Sequence, residues 1–291
     1  MKYCIECKAP YEIDAKACPV CGSGPEIING FECYAPTLAH ESEGFRSNYF
    51  ADLARLEADN FWFRSRNKLI LWALAQYAPG FGSLLEVGCG TGFALAGIHE
   101  RFPDADLSGS EIFIEALRFA RQRIPNVCLA QMDARRLPFH QEFDVLAAFD
   151  VLEHIKQDDT VLSQMYRAIK PGGRLLVTVP QHAWLWSTTD EYACHERRYA
   201  AKEIHAKIEA AGFEIVRSTS FVTALLPAML ISRLLQRGDL KDFDPLAEYR
   251  INPLANKALE AVLSAERAGI KRGFNYPVGG TRLIVAAKGG L

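Results

Sequence analysis

The sequence predicts a doubly wound α/β protein with a mainly parallel, seven-stranded sheet, preceded by a small cysteine-rich module. Three observations carry this. Short apolar runs alternate with helical patterns through residues 83–220, which implies right-handed βαβ units with helices on both faces of a sheet. A glycine-rich turn follows the first of the strands. Four cysteines in two Cys-x2-Cys pairs fall at positions 4, 7, 18 and 21.

Taken in order, residues 1–30 stand apart by composition as a separate module. Residues 31–80 read as an N-terminal helical cap. Leu53, Leu56, Leu69, Leu71 and Leu74 recur among charged residues until Pro79, Gly80 and Gly82 break the pattern. Strands are predicted at 83–88, 106–110, 127–131, 143–149, 174–179 and 213–220. Helices are predicted at 91–101, 112–123, 158–169 and 200–211. Residues 221–273 read as a helical insert, a lid, acceptor surface or dimer surface, before a last strand at 281–287. The main domain is therefore expected over 81–220 and 274–291. The apolar start of the insert, 221–235, is shorter than the roughly 20 residues of a spanning helix. It reads as a core helix or as a face lying on a membrane.

Of 291 residues, 49% are hydrophobic and 23% charged, with a formal net charge of −2. This balance opposes a broad electrostatic grip on nucleic acid. No secretory leader is read at the N-terminus, so a cytoplasmic setting is expected, with cysteines as metal ligands or thiols rather than disulfides.

The sharpest motif is Glu86-Val87-Gly88-Cys89-Gly90-Thr91-Gly92. A strand entering such a turn lets the backbone approach a ligand at Gly88, Gly90 and Gly92. Carboxylates then follow successive strands. Glu111 can accept two hydrogen bonds from ribose hydroxyls, and Asp133 can accept from an adenine amino group. Asp150 follows the fourth strand. Ligands of open α/β sheets sit outside the carboxyl ends of the strands, where all of these fall. Singly, Glu111 also reads as a helix N-terminal carboxylate and Asp133 as a cap. A nicotinamide dinucleotide site uses a similar turn, but it needs neither Glu86 nor an adenine-reading Asp133. No Gly-Lys-Ser/Thr run is present for P-loop chemistry.

Together with Lys170-Pro171-Gly172-Gly173, these features resemble the class I S-adenosylmethionine-dependent methyltransferases, over about residues 81–220 and the last strand. The resemblance implies a Rossmann-like fold and S-adenosylmethionine as cofactor. Gly88 and Gly90 would face its methionine part, Glu111 its ribose, and Asp133 with the backbone of Ala134 its adenine. Glu86, Cys89, Gly92, Ile112 and Asp150 complete the expected lining. Residues 60–67 resemble a segment of a bacterial branch in which a helix lies over the cofactor. That implies Trp62 and Arg66 near the pocket, with Arg66 toward the methionine carboxylate; aromatic packing on the sheet edge is the other reading.

Cys4-x2-Cys7-x10-Cys18-x2-Cys21 suits a closed tetrahedral thiolate site and resembles zinc ribbons, with structural Zn²⁺ expected and iron an alternative. So few residues bury little apolar surface, so metal would supply the folding free energy, about 10–16 kcal/mol in comparable peptides. Lys2, Lys8 and Lys16 are offset by Glu6, Glu12 and Asp14, which favours a structural or protein-contact role. Cys33, Cys89, Cys128 and Cys194 lack partner spacing.

The acceptor is expected against residues 181–199, after the fifth strand, with His182, Trp184, Trp186, Asp190 and Arg198 as substrate residues. His154 and His195 are candidate general bases. Asp150-x2-Glu153-His154 also resembles the trio with which some class I methyltransferases of quinone precursors and small-RNA 3′ ends hold a divalent metal. His182 or His195 would be a fourth ligand, although Asp150 stands where those proteins have Glu. The expected reaction is in-line methyl transfer to O or N of a small, amphipathic or lipid-linked acceptor. Two alternatives stand: an RNA methyltransferase with the ribbon positioning RNA, and an inactive cofactor-binding scaffold.

Overall fold

The computed structural model describes residues 1–39, 48–235 and 250–290. The N-terminal strands are β1 Lys2–Tyr3, β2 Pro10–Tyr11, β3 Glu26–Ile28 and β4 Phe31–Cys33, followed by helices α1 Asn48–Leu56 and α2 Phe61–Tyr77. Then come β5 Ser83–Val87, α3 Phe93–Arg101, β6 Asp106–Glu111, α4 Ile114–Arg123, β7 Cys128–Gln131, β8 Phe143–Phe149, α5 Asp158–Ala168 and β9 Ile169–Pro180. The remainder is α6 Thr188–Tyr192, α7 Ala201–Ala210, β10 Phe213–Phe221, α8 Leu226–Leu235, α9 Pro253–Lys271 and β11 Thr281–Lys288.

The seven expected strands are β5 to β11, in the order β10-β11-β9-β8-β5-β6-β7. β5 to β9 are parallel, and β11 lies antiparallel between β9 and β10. The central strands are apolar almost throughout because helices cover both faces. β8 runs Phe143 to Phe149 with only Asp144 partly exposed. One face packs Leu69, Ile70 and Leu74 of α2, Leu95 and Ile98 of α3, Leu117 of α4 and Leu263 of α9. The other packs Val161, Leu162 and Met165 of α5 with Ile204 and Ile208 of α7.

The sheet is longer than the seven strands read from sequence. A hairpin of β3 and β4 straddles residue 30, and β4 pairs in parallel with β7 (Glu32 with Ala130, Cys33 with Gln131). Each strand is three residues long, too short to show an alternation.

The helical pattern of the cap is broken by Asn60. Its side chain accepts from Trp62 N at 2.9 Å and so starts α2 afresh. α9 packs along α2: Asn256 accepts from Phe61 N at 2.8 Å, and Glu260 pairs with Arg64 at 2.6 Å and Lys68 at 2.8 Å. Residues 236–249 of the expected insert lie outside the described residues. Among the described residues no helix is long and apolar enough to cross a membrane.

β9 begins earlier than expected, at Ile169. The register with β8 shifts between Phe143 and Val145, so Lys170 to Gly173 forms a bulge inside the strand rather than a turn before it.

Candidate cofactor and acceptor site

A cavity of about 1250 Å³ opens at the carboxyl ends of β5 to β9, roofed by α1, α2 and α8. Its floor is the glycine turn. Gly88 has φ +70°, and a Cβ there would meet Val151 Cγ2 at 2.5 Å. Only glycine fits a left-handed position pressed this closely. Gly90 lines the cavity, and Cys89 lies beside it, buried. Gly92 does not line it. The turn carries this glycine to the α3 N-terminus, where a Cβ would meet Ala120 of α4 at 3.0 Å. Its role is close helix packing, not ligand approach.

Glu111 sits at the end of β6 and binds the turn to the next strand. One oxygen accepts from Gly90 N at 3.0 Å, the other from Ile112 N at 2.7 Å and Phe113 N at 3.3 Å. Burial raises its carboxyl above the usual range despite these bonds. Glu86, on β5, is buried and one of its oxygens lacks a hydrogen-bond partner. Burial pushes its pKa up to about 8, against the opposing pull of Arg66. The linkage has a definite sign. Below the ordinary value of 4.5 folded and unfolded chains both carry the proton, whereas from there to about 8 only the folded chain does. Cofactor-free stability should therefore fall as pH rises through this window, by on the order of a few kcal/mol. Urea denaturation of Glu86→Gln from pH 5 to 8 should show a flatter profile than the parent. Parallel profiles would mean that Glu86 is ionised in the folded chain.

Asp133 and Ala134 line the cavity after β7. Both Asp133 oxygens are held by the Arg135 guanidinium, at 2.9 to 3.1 Å, and one accepts from Arg135 N at 2.9 Å as a cap. The capping role is thus realised, and any adenine amino group must share this carboxylate with Arg135. Asp150, at φ +57°, pairs with Arg66, whose guanidinium stacks over the Trp62 ring at 4.6 Å. Trp62, Arg66, Ile112 and Asp150 all line the cavity.

The opposite wall is the loop after β9. Asp190 is its hub: fully buried, it accepts from Arg198 Nε at 2.7 Å, meets His195 Nδ1 at 2.8 Å and caps α6 through Ser187. Burial alone would raise this carboxyl, but the His195 and Arg198 interactions outweigh it and hold it at about 2. His195 meets the His154 ring edge-on at 4.7 Å. Burial, then the neighbouring His195, pull His154 down to about 3. Asp190, Arg198, His154 and His195 line the cavity, but His182, Trp184 and Trp186 do not. The backbone reverses at His182 (φ +63°) and carries the stacked pair His182 and Trp184 away from it, leaving Trp184 56% exposed. Nor is the trio Asp150, Glu153 and His154 assembled, because Arg66 occupies Asp150. Glu153 and His154 cluster with His195 instead, their ligand atoms within 4.8 Å of one another.

Several lining residues escaped the sequence reading. Glu57, just after α1, accepts from Thr91 Oγ1 at 2.7 Å and pairs with Arg123 at 2.9 Å; no local pattern announces this contact. Arg135 was legible in principle, two residues past Asp133. Leu225, Met229, Ser232 and Arg233 form a wall on and beside α8.

At the other end of the chain, Cys4 Sγ lies 3.5 Å from Cys21 Sγ and Cys7 Sγ 3.6 Å from Cys18 Sγ. All four sulfurs fall within 4.8 Å of one another, and none is in a disulfide. Cys7 N points at Cys4 Sγ at 3.5 Å.

Residues 84–173 match the methyltransferase domain family. A Mycolicibacterium smegmatis protein, named a probable S-adenosylmethionine-dependent methyltransferase, is 29% identical over 166 residues, 55% of this chain and 62% of that one. The ubiquinone/menaquinone biosynthesis C-methyltransferase of Methylococcus capsulatus is 44% identical over 75 residues, 23% of this chain and 30% of its own. The chain thus spans less than two thirds of the length of these curated relatives. Among solved structures, phosphoethanolamine N-methyltransferase 2 of Haemonchus contortus, in complex with S-adenosyl-L-methionine, superposes with a TM-score of 0.52. At 20% identity over 77% of this chain and 52% of that one, it speaks for the fold alone. The domain match over residues 84–173 and the strand order together support a Rossmann-like, class I S-adenosylmethionine-dependent methyltransferase fold for this chain.

Proposed function

We propose that this protein transfers a methyl group from S-adenosylmethionine to O or N of a small amphipathic acceptor. The observation that carries the reading is the shared cavity. Glycine turn, Glu111 and Asp133 stand on one side of it, and the Asp190–His195 pair stands on the other. Bound S-adenosylmethionine supplies an electrophilic methyl group. Glu111 is the acceptor for the ribose hydroxyls, Asp133 and the backbone of Ala134 hold adenine beside Arg135, and Arg66 holds the carboxylate end over Trp62. His195, its Nδ1 fixed by Asp190, turns Nε2 to take a proton from the acceptor. His154, kept neutral by burial, packs behind it. Alignment of acceptor and methyl carbon supplies most of the remaining rate. Leu225 and Met229 offer apolar contact, and Ser232 and Arg233 polar contact, which suits an amphipathic molecule. Calorimetry of the purified protein with S-adenosylmethionine tests the reading; a folded protein that binds none would overturn it.

The four cysteines fit zinc. Thiolates of a tetrahedral site with Zn–S of about 2.3 Å stand about 3.8 Å apart, close to the spacing found. The module read over residues 1–30 is then zinc-ribbon-like ahead of β3, with β3 and β4 joining the sheet of a methyltransferase domain of residues 81–220 and 274–291, α1 and α2 as its helical cap and 221–273 as an insert.

One observation favours a second reading of the acceptor wall. Glu153 is fully buried with no hydrogen-bond partner for either oxygen among the described residues, beside His154 and an Asp190-oriented His195. A carboxylate and two imidazoles so placed suit a divalent ion. Titration with Mn²⁺ separates the readings. Micromolar binding lost in Glu153→Gln supports an ion, and no binding supports the bare His195 base.

A further inference from the structure

The cysteine module and the adenine end of the cavity form one connected piece of structure. The segment between β7 and β8, which carries Asp133 and Ala134, is gripped repeatedly by the first 35 residues. At its start, Tyr34 N donates to Gln131 O at 2.8 Å, and the Gln131 side chain exchanges two bonds with the Ala35 backbone at 3.0 and 2.8 Å. Toward its end, Tyr3 N donates to Pro138 O at 2.8 Å and His140 N to Met1 O at 3.2 Å. Lys2 bridges Phe139, and the Tyr3 ring meets His140 edge-on at 5.1 Å. Between these grips, Arg136 donates to Ile5 O at 3.2 Å and pairs with Glu6 at 3.6 Å. Ile5 and Glu6 are the two residues between Cys4 and Cys7. Arg136 N in turn donates to Asp133 O at 2.8 Å, while Arg135 holds the Asp133 carboxylate. A continuous path therefore runs from the thiolate knuckle through Arg136 to the turn that presents Asp133.

The module has little else to hold its shape. Its buried apolar cluster is Cys4, Tyr11 and Cys18, with Ala9 and Ala15 packed against it. Two of those three residues are ligand candidates, so metal occupancy decides whether the Ile5 carbonyl stands where Arg136 meets it. We propose that the metal-loaded cysteine module is the positioning element of the adenine loop, and that metal loading raises affinity for S-adenosylmethionine. This rests on the cofactor and zinc readings given above. By reciprocity the cofactor must also tighten retention of the metal. If stripping leaves the loop competent about one-tenth of the time, the apparent Kd rises about tenfold.

The test is calorimetric titration of the 291-residue chain with S-adenosylmethionine, zinc-loaded and chelator-stripped, with amide hydrogen exchange followed across residues 131–142. About tenfold weaker binding and faster exchange confined to that segment are expected on stripping. Arg136→Ala, measured in zinc-loaded protein, keeps the module intact should stripping unfold the chain. Loss of its two side-chain contacts, to Ile5 O and Glu6, is expected to weaken binding about threefold and leave kcat at saturating cofactor unchanged. Equal affinities in loaded, stripped and Arg136→Ala proteins would overturn the proposal, as would a change in kcat without one in affinity. If zinc-loaded protein binds no cofactor at all, the cofactor reading fails. Exchange at 131–142 then still decides whether the module orders the loop, and unaltered exchange on stripping overturns that too.

Discussion

Glu111→Ala is expected to weaken S-adenosylmethionine binding by about a hundredfold or more, the largest single effect at this site. Two losses combine. Hydrogen bonds to an ionised carboxylate are worth about 1.5–3 kcal/mol each, and every 1.4 kcal/mol is tenfold in affinity. Two ribose bonds alone therefore reach the stated magnitude. The second loss precedes binding: Gly90, Ile112 and Phe113 all donate to this carboxylate in the free protein, so its removal unfastens the glycine turn from β6. Glu111→Gln keeps an acceptor oxygen and should fall between the two. Calorimetry on both variants, with circular dichroism to show retained fold, measures this. A Kd within threefold of the parent in Glu111→Ala would remove Glu111 from the cofactor site.

His195→Ala should lower kcat by about 10²- to 10⁴-fold, the usual worth of a positioned general base, with cofactor affinity unchanged. The split matters, because a merely structural histidine would move both quantities or neither. Asp190→Asn tests the same arrangement from behind. It removes the charge that fixes the His195 tautomer, and it also loosens Arg198 and the α6 cap, so a fall in stability accompanies the fall in rate. The depressed Asp190 carboxyl sets a pH signature as well. Its stabilisation is complete above the ordinary value of 3.8 and is lost as pH falls through about 2. Once an acceptor is identified, an unchanged kcat in His195→Ala would leave alignment alone as the source of rate.

The readable and unreadable parts of this chain divide on physical grounds. Each of the seven long strands declares itself locally, by a run of buried side chains and a turn beyond it. The glycine turn, Glu111 and Asp133 were legible because each follows its strand immediately, and strand order then brings them together. The β3–β4 hairpin was invisible because three-residue strands carry no period and its partner is β7, far along the chain. Gly92 was misplaced for a related reason: the motif fixes its backbone conformation, but only the packing of α3 on α4 shows that Ala120 lies behind it. His182, Trp184 and Trp186 are expected at the acceptor because their loop leaves the carboxyl end of the fifth strand, yet a left-handed residue at His182 turns them away from the cavity. Arg66 with Asp150, and Arg135 with Asp133, show the same limit. Charge pairing across a cavity is decided by three-dimensional neighbours, which no spacing rule supplies.

The parallel pairing of β4 with β7 has a consequence for the order in which the molecule can be assembled. Glu32 and Cys33 are made early, but their partners Ala130 and Gln131 leave the ribosome only after β5, α3, β6 and α4. A nascent cysteine module can take up its metal and fold while it has nothing to dock on. The docking surface around residues 131–142 then arrives late and closes a very long loop. Closing such a loop costs entropy that grows only slowly with its length. Docking is therefore limited less by distance than by whether β5, β6 and β7 have already formed, so the β3–β4 edge, although synthesised before its partner strand, is sealed only after it.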